Sequence, residues 1–92
     1  MNKFFEKIVG ESIKEYNKYR SPEATAKMIS MDENSIRIEF TGPYCRTCGF
    51  YDYFGDFVYV LKDFGIESQM DEVEETEDGA IVTFLITGLP RK

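Results

Sequence analysis

The chain reads as an α+β domain in which tandem α-β-β halves form a four-stranded antiparallel sheet with two helices on one face. Two observations predict this. Apolar residues recur with helical period near the start and again past the middle, and each such stretch is followed by two strand-like runs parted by a polar turn. The two halves, residues 3–42 and 49–88, also resemble each other at a spacing of about 45 residues. Ile8-Val9-Gly10-Glu11 falls opposite Tyr53-Phe54-Gly55-Asp56, and Asp32-Glu33-Asn34 opposite Glu77-Asp78-Gly79. With one residue of slip, Phe40-Thr41-Gly42 falls opposite Ile86-Thr87-Gly88. At 92 residues the chain is expected to be a single domain, 1–92, near the lower end of what buries a self-sufficient core, so a homodimer is expected.

The first helix is predicted over residues 3–19, where Phe5, Ile8, Val9, Ser12, Ile13, Tyr16 and Tyr19 keep helical spacing with Lys and Glu between them. It ends before Ser21-Pro22, and residues 25–31 read as a strand leading into the turn Asp32-Glu33-Asn34. Ile36, Ile38 and Phe40 then alternate with Arg37, Glu39 and Thr41, the period of a half-buried strand, until Gly42-Pro43 stops it. In the second half, Phe50, Phe54, Phe57, Val58, Leu61 and Phe64 mark one face of a helix that Gly65 closes. Residues 67–75 follow as a strand, Glu77-Asp78-Gly79 as a hairpin turn, and residues 81–87 as a nearly continuous apolar strand ending at Gly88.

Composition narrows the function. Hydrophobic content of 42% with 30% charged residues is that of a folded globular chain. A net charge of −6, with its bases spread over both halves, repels phosphate backbones and anionic lipid, so neither nucleic acid nor a membrane surface is an expected partner. The sequence has no basic, apolar leader, and no apolar run approaches the roughly 18 residues of a membrane span, so a cytoplasmic location is expected. Histidine is absent, which removes Ser-His-Asp and Cys-His catalysis and imidazole-ligated zinc from this chain acting alone.

The only two cysteines, Cys45 and Cys48, stand in Thr41-Gly42-Pro43-Tyr44-Cys45-Arg46-Thr47-Cys48-Gly49 just before the second helix. Two thiolates at this spacing reach one metal ion, but a tetrahedral site needs four ligands, so a second copy across a two-fold axis would be required to complete a zinc or iron–sulfur site. The same pair fits a thiol-disulfide redox role, because the helix N-terminus and Arg46 stabilise a thiolate. Small thiols packed beneath a helix start are the third reading.

More than half of the aromatics lie between Tyr44 and Phe64. One helical stripe accounts for Phe50, Phe54, Phe57 and Phe64 but leaves Tyr51, Tyr53 and Tyr59 on other faces, which suggests a second contact surface, apolar along the ring and wet at the hydroxyl. The acidic run from Asp71 to Asp78 lacks the spacing of a calcium loop and reads as a charged, solvated edge strand, with weak divalent-cation binding as the alternative.

From Cys48 onward, the order of cysteine, aromatic helix with Gly55, Gly65, acidic strand and final apolar strand resembles 4-vinyl-reductase-type domains over roughly residues 45–87. That resemblance implies a mixed α/β plait binding a small, often hydrophobic ligand. Family members often carry a further cysteine near the last hairpin, where this chain has Glu77-Asp78-Gly79. Residues 4–64 resemble NifU C-terminal-type iron–sulfur scaffold domains, which also run helix, hairpin ending in glycine, CxxC pair and helix; this implies Cys45 and Cys48 as cluster ligands across a dimer. Here Gly42 and Cys45 stand one residue further apart than in that pattern, and two strands follow the helix instead of one. The function expected from the whole is a non-enzymatic binding domain for a small hydrophobic ligand or a partner. Its site is expected between the second helix and the sheet, lined by Tyr44, Tyr51 and Phe54 with Cys45 and Cys48 at the rim. Metal or iron–sulfur carriage and thiol-disulfide exchange are the competing classes.

Overall fold

The computed structural model describes residues 3–20, 24–42, 50–77 and 79–88, with the side chains of residues 50–52 outside that description. Helix α1 spans Lys3–Arg20, strands β1 and β2 Thr25–Met31 and Ser35–Thr41, helix α2 Phe50–Asp63, and strands β3 and β4 Glu67–Glu75 and Gly79–Gly88. The strands form one sheet in the order β1-β2-β4-β3, each pair antiparallel. Each α-β-β half contributes its second strand to the middle of the sheet.

Alternation decides which face is covered. Ile36, Ile38 and Phe40 of β2 stand opposite Phe84, Val82 and Ala80 of β4, and all six are fully buried. Beside them on the same face lie Ala26 and Met28 of β1 and Met70 and Val73 of β3. Both helices pack here. Phe40 is the centre of the contact, with its ring centroid 5.5 Å from Tyr16 of α1, 5.0 Å from Phe54 and 5.8 Å from Phe57 of α2, and 6.2 Å from Phe84. Edge-to-face and tilted pairs of this kind add specific geometry to the burial of large apolar area.

Among the described residues the outer face carries no helix. Lys27, Arg37, Glu39, Glu72 and Glu74 stand there beside the half-buried Ile81, Thr83 and Leu85. Arg37 and Glu74 form an ion pair across the sheet at 3.6 Å, too exposed to contribute much.

The halves share their element order and bury corresponding helix positions. Phe5, Val9, Ser12 and Tyr16 are the buried stripe of α1, and Phe54, Phe57 and Leu61, 45 residues after the last three, are fully buried on α2. Each hairpin has a bulge on its first strand, between Met28 and Ser30 in β1 and between Met70 and Glu72 in β3. A bulge leaves one residue unpaired and bends the strand, so both outer strands are bent, and the second hairpin has a further register shift at Glu67/Ser68.

Polar groups inside the stripe are satisfied locally. Ser12 Oγ donates to the Ile8 carbonyl at 2.9 Å, and Tyr16 Oη donates to the Tyr53 carbonyl at 2.9 Å, tying α1 to α2. Arg20 adds an ion pair with Asp56 and lies over the Tyr53 ring, 5.4 Å from its centroid. Asn17 covers the open edge of β1: its Nδ2 donates to the Ala26 carbonyl at 3.1 Å and its Oδ1 accepts from the Ala26 N–H at 2.7 Å. A side-chain amide thereby takes the place of a missing fifth strand at that point.

Two expected details differ. Tyr19, expected on the buried stripe, is 70% exposed in the last turn of α1. Strand β4 begins at Gly79, two residues earlier than Ile81, with Gly79 paired to Thr41 and Ala80 to Phe40. A Cβ built on Gly79 would lie 1.8 Å from the Phe40 carbonyl oxygen, so this glycine is required by close approach of two backbones.

Candidate ligand groove between α2 and β3

The C-terminal cap of α2 sets the geometry of the site. Gly65 adopts φ 91°, its N–H donates to the Lys62 carbonyl at 2.9 Å, and the Ile66 N–H donates to the Leu61 carbonyl at 2.9 Å. This is the Schellman arrangement, and its usual apolar contact is available here, since Leu61 and Ile66 are both fully buried. The cap reverses the chain at once, and β3 starts beside the last turn of the helix that precedes it.

A groove of about 530 Å³ lies between the two elements. The α2 wall is Gly55, Val58, Tyr59 and Lys62, at positions i, i+3, i+4 and i+7, a second helical face beside the buried stripe. The other wall is Glu67, Ser68, Gln69 and Met70 of β3, with Thr87 of β4 at the end. Val58 and Met70 pack partly against the core, whereas the Tyr59 ring is 68% exposed. Gly55 leaves the helical wall open, because a Cβ built there would meet no described atom within 4 Å outside the helix's own nearby backbone. Ser68 Oγ is closed off from solvent and has no hydrogen-bond partner among the described residues. An unsatisfied buried hydroxyl costs about 1–3 kcal/mol.

A smaller depression of about 230 Å³ lies on the outer side of the helical layer, bordered by Tyr16, Tyr19, Arg20, Asp56, Tyr59 and Val60. Tyr59 borders both. Of the three tyrosines expected on a second surface, Tyr59 projects outward and Tyr53 is half-buried beneath Arg20. Tyr51 stands in the first turn of α2, with its side chain outside the described residues.

Phe54, expected to line a ligand site, is fully buried against Phe40 and does not border the groove. Tyr44, Cys45 and Cys48 lie outside the described residues. Among the described residues no three Cys, Asp or Glu side chains gather into an arrangement that holds a metal ion, and no helix is long and apolar enough to cross a membrane. The lining residues Val58, Lys62, Ser68 and Met70 were not singled out from sequence as site residues. The spacing of Gly55, Val58, Tyr59 and Lys62 was the available signal, and it becomes meaningful only once β3 is known to flank α2. Comparison of the chain with family models, with curated proteins and with solved structures returns no match.

Proposed function

We propose that the protein is a cytoplasmic, non-enzymatic binding domain that takes an apolar group of a small ligand or partner into the groove between α2 and β3. The observation that carries this reading is the groove itself, walled by one face of α2 and by four consecutive residues of β3, with open space above Gly55. A mid-helix glycine with space above it costs about 0.5–1 kcal/mol of stability relative to alanine and relieves no clash among the described residues. The volume of about 530 Å³ falls in the range of roughly 300–1,000 Å³ typical of small-molecule sites. Val58, Met70 and the Tyr59 ring supply apolar surface, and Lys62 supplies a charged group to fix orientation.

The test uses the neutral fluorescent probe N-phenyl-1-naphthylamine with wild type, Gly55→Leu and Gly10→Leu. Gly10 is the corresponding position of α1, also open, and lies outside the groove. Expected are enhanced emission with wild type and Gly10→Leu, and its loss in a Gly55→Leu protein that melts no lower than wild type. Equal emission from all three, or none from wild type, would overturn the reading.

A further inference from the structure

We propose that the group entering the groove is carried by an extended, basic peptide segment, which adds as a fifth strand along the open edge of β3. The proposal rests on the groove being a binding site and names the class of its occupant.

Strand β3 is the end of the sheet order and, among the described residues, pairs only with β4, so its other edge presents backbone N–H and C=O groups that no described strand takes up. The groove follows that edge. Four consecutive residues, Glu67 to Met70, border it, although alternation points Ser68 and Met70 toward the helices and Glu67 and Gln69 away. The lining also includes Thr87 of β4 at the Glu67/Ser68 register shift, so the cleft wraps the start of β3 and reaches its outer edge at Gln69. The space between an edge strand and a helix is where an added strand finds main-chain hydrogen bonds on one side and pockets for alternate side chains on the other. Here those pockets are bounded by Val58, Met70 and the gap above Gly55.

Charge selects the occupant. Strand β3 carries Glu67, Asp71, Glu72, Glu74 and Glu75, all exposed, and no basic residue. The lining holds one base, Lys62, with Asp63 beside it. A second copy of β3 would place like charges opposite one another, which disfavours edge-to-edge self-association, whereas a segment bearing Lys or Arg on its outward side chains gains complementary contacts. Register shifts at Glu67/Ser68 and Met70/Glu72 divide the regular pairing of β3 into Ser68–Met70, beside the groove, and Glu72–Glu75, which carries most of its acidic residues, so an added strand must span both to meet the groove and the charge.

The experiment titrates wild type with a fluorescein-labelled eight-residue peptide of alternating valine and lysine, followed by anisotropy, with N-phenyl-1-naphthylamine as competitor. Three controls accompany it: the peptide with glutamate for lysine, the lysine peptide with alternate amides N-methylated, and the Gly55→Leu protein. Expected are saturable binding displaced by the probe, a tenfold or greater loss with either altered peptide, and the same loss with Gly55→Leu. If the probe binds and the peptide does not, the peptide inference fails and the groove stands. If N-methylation changes nothing, the contact is charge attraction without strand addition and the inference fails. If neither probe nor peptide binds, the groove reading fails and takes the inference with it.

Discussion

Replacing Gly55 and Gly10 by alanine, singly and together, tests the site through stability. The two glycines sit 45 residues apart at matching positions of α1 and α2, and neither has a described atom within 4 Å of a built Cβ apart from its own helix backbone. Each substitution removes the excess backbone entropy of a helical glycine, so each should stabilise by about 0.5–1 kcal/mol. For a domain of this size that is a rise of roughly 2–8 °C in Tm. The sites share no partner, so the double variant should approach the sum, about 1–2 kcal/mol. Urea unfolding, monitored by far-ultraviolet circular dichroism with a common slope, reads all three values. The groove separates them: Gly55→Ala should weaken binding of the naphthylamine probe and Gly10→Ala should not. A Gly55→Ala protein less stable than wild type would mean that the space above residue 55 is filled, and the groove reasoning would be refuted.

Other substitutions test the frame that holds the groove. Gly79→Ala forces a methyl group onto the Phe40 carbonyl and should cost on the order of 3 kcal/mol, seen as a large fall in the urea midpoint; a change within error would exclude the close β2–β4 approach. Phe40→Ala removes the ring shared by both helices and should cost about 3–5 kcal/mol in the same assay. Asn17→Ala strips two hydrogen bonds from Ala26 on the β1 edge; a loss of about 1–3 kcal/mol is expected, with faster hydrogen exchange at the Ala26 amide. Ser68→Ala removes an unpartnered buried oxygen and should leave the free protein as stable as wild type or slightly more so.

Local pattern made most of the fold legible. Strands β1 and β3 fall on the expected residues because polar turns bracket them, and α2 ends at Gly65 because only glycine takes φ 91° there without strain. Ser12 sits on an apolar stripe without penalty because the preceding turn of its own helix supplies a carbonyl acceptor. What was not legible depends on distant partners. Gly79 reads locally as a turn glycine, yet its constraint is the Phe40 backbone 39 positions earlier. Asn17 reads as a solvent-facing helical residue until β1 is laid beside it. Ile66 is fully buried although it belongs to neither helix nor strand, held there by the capping pattern of Leu61 and Gly65 before it. The groove is the furthest case, since it needs the order β1-β2-β4-β3 to place an open strand edge beside α2.

The most direct test of the central claim is a heteronuclear NMR titration of wild type with N-phenyl-1-naphthylamine. Amide shifts should concentrate at Gly55, Val58, Tyr59 and Lys62 and from Ser68 to Met70, while Lys27, Arg37 and Glu39 on the uncovered sheet face stay unchanged. Shifts confined to that outer face, or to the depression around Tyr19 and Arg20, would contradict the assignment of the groove as the binding site.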